Sequence, residues 1–188
     1  MTKFENDLEE KYSISSNMVD FNYIDPKILP ISAIFQRKKI GITSDEDNLS
    51  INDWLDDQNG DIILKMDIEG DEYLTLSSIS DKNLNKIRIL IVELHDLRHL
   101  RNYFFYKTFE KFILKLNNLF YVCHLHVNNV SKLTNIGGYN VPDMLEITFI
   151  RKDRIKDFDL KYSKLPNKLD KKTVKDKEEI ILDRSWYL

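Results

Sequence analysis

A chain of 188 residues has room for one domain with a sizeable core, and 42% hydrophobic with 11% aromatic residues is a globular balance. The net charge of -3, from 28 basic and 31 acidic side chains, supplies no strong field for nucleic acid or an anionic membrane. A single cysteine, Cys123, excludes an internal disulfide and a cysteine-based zinc site; with a charged N-terminus and no apolar run near the ~20 residues of a membrane span, the expected location is cytoplasmic.

Residues 4–12, FENDLEEKY, place Phe4, Leu8 and Tyr12 at helical spacing with acids toward the front. Residues 17–21, NMVDF, read as a short strand ending at Asp20, and Asp25-Pro26 turns the chain out of it. An acid at such a tip can accept hydrogen bonds from ribose hydroxyls. The mixture of β-branched, aromatic and basic residues at 33–40 predicts a strand, and 43–48 a polar acidic loop. Ser50 is placed to cap a short helix that turns Trp54 and Leu55 inward.

After the Asn59-Gly60 turn comes DIILKMDIEGDEY at 61–73, the stretch with the most chemistry. Its apolar run reads as a buried strand that delivers Asp67 to its C-terminal tip and turns through Glu69 and Gly70 into a helix over 72–80, with Tyr73, Leu76 and Ile79 on one stripe. Residues 87–95, IRILIVELH, are the strongest strand, and its two-residue period puts Glu93 and His95 on one face. A long helix is predicted over 97–120, with Leu100, Phe104, Phe105, Phe109, Phe112, Ile113 and Leu116 as its core-facing side. Residues 121–127 form a further strand in which Cys123 is expected as a small buried hydrophobe. A loop with Gly137-Gly138 leads to a last strand at 144–150, antiparallel because the connection has no room for a crossover helix. Residues 1–152 are thus expected to form an α/β domain and 153–188 a charged tail over its surface.

Strands alternating with helices make a mostly parallel sheet whose polar tips share one edge. Those tips hold Asp20, Asp67, Glu69, Glu93, His95, His124, His126, Asn128 and Asn129. Asp67 and Glu69 could cap the following helix, contact a cofactor, act as general base or bind metal. His95 and His126 among carboxylates would suit a divalent ion, although no HExxH spacing supports one. A metal-dependent hydrolase using Asp67, Glu93, His95 and His126 is therefore one reading.

KMDIEGDEY at 65–73, followed by VELH at 92–95, resembles the FkbM family of S-adenosylmethionine-dependent methyltransferases. NLSINDWL at 48–55, HLHVNN at 124–129, VPDMLEITFIRKDR at 141–154 and LPNKLD at 165–170 resemble other parts of that family. The resemblance implies a Rossmann-like class I sheet ordered 3-2-1-4-5-7-6 with an antiparallel last strand, and S-adenosylmethionine as cofactor, bound by Asp20, Asp67 and Glu69. It implies transfer of a methyl group to a hydroxyl of a sugar or related small acceptor. Asp67 or His95 is then the candidate base, and Glu93, His126 and Asn128 contact substrate or metal. No Gly-x-Gly occurs in the sequence. The chain is accordingly expected to begin after the first strand and glycine-rich loop, with a partner chain as one source of the missing strand, and a non-catalytic binding domain of the same family is the alternative.

Overall fold

A computed structural model describes residues 2–156 and 165–187; the part of the expected tail at 157–164 lies outside them. The chain is mixed α/β and divides into two units, 1–54 and 55–188. Among the described residues no helix is long and apolar enough to cross a membrane.

In the first unit, α1 (Lys3–Tyr12) ends on Ser13 in the left-handed region at φ 56°, whose N–H reaches back to the Glu9 carbonyl at 3.0 Å. The Glu9 carboxylate accepts the Ile31 and Ser32 amides at 3.0 and 2.8 Å, holding the following loop on the helix. Strand β1 (Asn17–Val19) pairs in parallel with β2 (Ile34–Gln36), and β3 (Lys39–Gly41) in parallel with β4 (Asn48–Ser50). The single strand expected over 33–40 is therefore two short ones with different partners. The break falls at Arg37 and Lys38, where the Lys38 N–H turns back to the Gln36 carbonyl at 3.1 Å, and Arg37 Nε donates to the Phe21 carbonyl at 3.1 Å and Lys38 Nζ to that of Asp45 at 2.8 Å. Helix α2 (Ile51–Asp56) follows, its start capped by Ser50, whose Oγ accepts the Asn52 N–H at 3.2 Å.

The second unit is built on a four-stranded sheet. Strand β5 (Ile62–Met66) leads through α3 (Glu72–Ser78) and α4 (Asp81–Leu84) to the parallel neighbour β6 (Ile87–Leu94). A 3-10 turn at Leu97–Arg101 and α5 (Tyr103–Leu119) lead to β7 (Phe120–Val127). A hairpin of β8 (Leu133–Ile136) and β9 (Tyr139–Pro142) stands where only a loop is expected from the sequence, and it precedes the last strand β10 (Leu145–Arg151). The hairpin closes through Gly137 and Gly138 at φ 61° and 92°, a pair of positive angles that matches the twist of the two strands. Strand β10 enters between β6 and β7, antiparallel to both, so the order is β5-β6-β10-β7. Strands β5, β6 and β7 consequently point one way, and their C-terminal ends share one edge.

Leu64, Met66, Leu90, Val92, Leu94, Ile147 and Phe149 are buried in this sheet, and Tyr73, Leu76, Phe112 and Leu116 are buried on α3 and α5. Tyr73 lies among Phe105, Phe109 and Phe112 at centroid distances of 5.1, 6.0 and 5.7 Å, two of them edge to face. Phe104, expected on that apolar side, is instead 79% exposed. It sits about 100° around the helix from Phe105, off the stripe that Phe105, Phe109, Phe112 and Leu116 share. The helix also starts later than expected, at the Asn102 cap, whose Oδ1 accepts the Phe104 and Phe105 amides at 2.9 and 3.2 Å. Cys123, expected to be buried, is exposed. It lies on the outer strand opposite a register shift between Thr148 and Phe149, and its Sγ meets the Thr148 carbonyl at 3.3 Å.

At the opposite edge of the sheet, Arg151 is buried and binds several chain segments. Its guanidinium donates to the Asn85 carbonyl, to the Ile87 carbonyl at 3.4 Å, to Asp61 at 3.4 Å and to Asp153 at 2.7 Å. Leu165 and Leu182 of the C-terminal segment are buried beside Leu125 and Val127 of β7.

Candidate functional site

The site grows from the turn after β5. Met66 is the last buried residue of the strand, Asp67 emerges at its tip, and the chain bends back through Glu69 at φ 56° and Gly70 at φ 114°. Glu69 is a non-glycine residue in the left-handed region, a conformation that other contacts must hold in place. Glu72, the first residue of α3, does so: its fully buried carboxylate reaches back to accept the Ile68 N–H at 3.0 Å and the Gly70 N–H at 3.1 Å.

His95 arrives from the end of β6. Its Nδ1 lies 3.0 Å from Glu72 Oε1, and the Tyr73 hydroxyl donates to its carbonyl. This fixes the ring, and Nε2 faces Asp67 Oδ1 at 3.8 Å and Glu69 Oε2 at 3.7 Å. The imidazole is 11% exposed, whereas the side chains of Asp67 and Glu69 are 46% and 86% exposed. The hydrogen bond to Glu72, reinforced by the charges of Glu72, Glu93 and Asp67, raises the His95 pKa to about 9 despite the desolvation that opposes it. Burial alone would push the Glu72 carboxyl up, but the bonds from His95 and from the turn amides outweigh it and hold Glu72 below the usual carboxylate range. At neutral pH His95 is thus an imidazolium held by Glu72, with the side chains of Asp67 and Glu69 at its other nitrogen.

Beside it runs a row across three strands, in which Glu93 of β6 faces Glu146 of β10 and Glu146 faces His126 of β7. Burial raises the Glu93 pKa, with the Asp67 charge adding to it, while a 2.8 Å hydrogen bond from Asn128 Nδ2 works the other way. Both nitrogens of His126 are engaged, Nδ1 with Glu146 at 3.4 Å and Nε2 with Glu179 at 2.9 Å, and these bonds raise its pKa to about 9. His124 meets Asp170 at 2.8 Å.

Asp67, Glu69 and His95 are therefore brought together, with Glu93, Asn128 and His126 in the adjoining row. Asp20 belongs to the first unit, where its Oδ1 accepts the Asn22 amide at 2.7 Å and closes a turn. Among the described residues, the donor atoms of Asp67, Glu72 and His95 lie within 4.8 Å of one another. The hydrolase reading groups Asp67, Glu93, His95 and His126, but the protein fills both His126 nitrogens with carboxylates, and Glu72 takes the place beside His95. In the sequence Glu72 passes for an ordinary first-turn acid. Its one signal is position, directly after a glycine turn that exposes unpaired amides.

In open α/β sheets the ligand crevice lies outside the carboxyl ends of the parallel strands, and that is the edge where these carboxylates and the imidazole stand. The family model for the Methyltransferase FkbM domain matches residues 5–123, from α1 into β7. The chain belongs to this methyltransferase family. Comparison with curated proteins and with solved structures gives no match.

Proposed function

We propose that this edge is the site of an S-adenosylmethionine-dependent methyl transfer to a hydroxyl of a sugar or related small acceptor, with Asp67 as the group that takes the hydroxyl proton. The observation that carries it is the placing of Asp67: a half-exposed carboxylate at the tip of a parallel strand, beside an imidazole whose charge a buried glutamate holds. The order β5-β6-β10-β7, with β10 antiparallel, supports it by agreeing with the 4-5-7-6 part of a class I methyltransferase sheet.

The donor set suits the charged end of the cofactor, because the acidic side chains at this edge outnumber the one imidazolium of His95, and Asp67 and Glu69 are the exposed ones that a sulfonium cation could approach. Asp67 and Glu69 are the residues assigned to it. With no Gly-x-Gly in the sequence, none of this chain's residues is assigned to the methionine carboxylate. When bound, the cofactor supplies an electrophilic methyl group. In a transfer to a hydroxyl, Asp67 would take the proton that the acceptor oxygen gives up, on a carboxylate oxygen. His95 is already protonated at neutral pH and so serves as the cation that orients Asp67 and Glu69. Glu93, held by Asn128, is placed to accept a second acceptor hydroxyl. Holding the acceptor in line accounts for much of the acceleration.

Calorimetric titration with S-adenosylmethionine should give saturable binding, and its absence overturns the proposal. Asp67→Asn should keep the circular dichroism spectrum and lower turnover by about a hundredfold or more; undiminished methyl transfer would exclude Asp67 as the proton acceptor.

A further inference from the structure

The C-terminal segment is joined to the end of β7 by side chains that also lead to the site. Asn129 is buried and clasps the segment from both sides. Its Oδ1 accepts the Val174 N–H at 2.9 Å, and its Nδ2 donates to the carbonyls of Val174 at 2.8 Å and Lys177 at 3.2 Å. Glu179 meets His126 Nε2 at 2.9 Å and Asp170 meets His124 Nε2 at 2.8 Å, so two histidines two residues apart on β7 each hold a carboxylate of the segment. The preceding residue, Asn128, is also buried and faces the other way: its Nδ2 donates to Glu93 Oε1 at 2.8 Å while its Oδ1 accepts the Val130 N–H at 3.2 Å. A turn closed by the Ser131 N–H on the Asn128 carbonyl at 2.9 Å carries both asparagines.

We propose that residues 165–182 are a latch on the acceptor side of the site: docked on Asn129 and on His124 and His126, the segment fixes the turn that aims Asn128 at Glu93. Asn128 and Asn129 are consecutive residues of one turn, which the Ser131 N–H closes on the Asn128 carbonyl and the Val130 N–H ties to the Asn128 side chain, so a backbone shift at Asn129 is carried into the segment that holds Asn128. Each points into a buried environment where an unmade hydrogen bond is costly, so the turn has one arrangement that satisfies both. Undocking would release Asn129, free the turn and leave Glu93 without its donor. Asn128 and Asn129 are thereby positioning residues, acting through Glu93 and through the segment. The coupling stands on these contacts; its consequence for acceptor binding rests on the methyl-transfer reading.

Amide hydrogen exchange and the Asn128 side-chain amide signals, followed by NMR in the full chain, test it. Asn129→Ala should speed exchange at Val174 by about tenfold, the worth of one lost hydrogen bond, and should also speed it at Val130 and shift the Asn128 side-chain signals. Faster exchange at Val174 with Val130 and Asn128 unmoved would overturn the coupling, and unchanged exchange at Val174 would overturn the latch. If Asn129→Ala loses its cooperative thermal transition, the pair Asp170→Asn and Glu179→Gln loosens the segment from its own side; the same changes at Val174, Val130 and Asn128 are then expected, and their absence overturns the latch in the same way. Failure of the methyl-transfer reading would show separately, as absent S-adenosylmethionine binding in the unaltered chain.

Discussion

A buried glutamate decides the chemistry of the site. Glu72 is surrounded by amides it can accept from and by one imidazole, and this arrangement keeps His95 charged where burial alone would neutralise it. Glu72→Gln should therefore lower the His95 titration midpoint from about 9 toward its ordinary 6.5, followed by the ring-proton shifts in NMR. The same pair sets a pH dependence of stability. His95 and His126 have pKa values raised from 6.5 to about 9, so their contribution is fully present below pH 6.5 and is lost as the pH rises through 9. Glu72, lowered from 4.5, contributes above that value and loses its contribution as the pH falls further. Unfolding free energy is expected to plateau between these limits and to decline on the alkaline side, and Glu72→Gln should flatten that decline; an alkaline limb of unchanged slope would refute the assignment. Asp67 and His95 are readable in the sequence because each follows an apolar run that ends at a tip. Glu72 is not, since its burial depends on the left-handed backbone at Glu69 and Gly70 folding the helix start back over the turn.

The helix α5 shows how one element separates packing from exposure. Its Phe105, Phe109 and Phe112 surround Tyr73, whose hydroxyl in turn reaches the His95 carbonyl, so the aromatic cluster supports the site from beneath. Phe112→Ala should cost about 3–5 kcal/mol in denaturant unfolding, the range for an aromatic removed from a closed core. Phe104→Ala, one stripe away and exposed, should stay within about 0.5 kcal/mol. The periodic stripe is legible from spacing alone, because a helical face is a matter of angle. The start of the helix is not: Leu97 and Leu100 continue the apolar spacing upstream, yet the chain there is a 3-10 turn and the cap at Asn102 resets it. The break between β2 and β3 is hidden for a related reason, since the two strands pair with different neighbours and nothing in the spacing of 33–40 names them.

At the scale of the sheet in the second unit, the two edges perform different work. One carries the exposed acids Asp67 and Glu69 around the His95 ring; the other is bound together by Arg151, whose buried guanidinium joins the start of β6, the residue before β5 and the end of β10. The antiparallel entry of β10 is readable from the short connection before it. Its insertion between β6 and β7 instead of at the edge is implied by the family resemblance alone, because nothing in the spacing of a strand names its neighbours. This division predicts opposite outcomes for substitutions at the two edges. Arg151→Leu removes a buried guanidinium and takes the donor from the Asn85 and Ile87 carbonyls, while Asp61 keeps its bond from Arg154, so the denaturant midpoint should fall by the equivalent of about 1–3 kcal/mol, with the affinity for S-adenosylmethionine unchanged in the fraction that remains folded. Asp67→Asn removes a half-exposed carboxylate that sits 3.8 Å from the His95 ring and near other acids, so its attraction and repulsion largely offset and stability should hold within about 0.5 kcal/mol while methyl transfer is lost. If Asp67→Asn instead unfolds the protein as readily as Arg151→Leu, Asp67 is a structural residue of the sheet and the functional edge lies elsewhere.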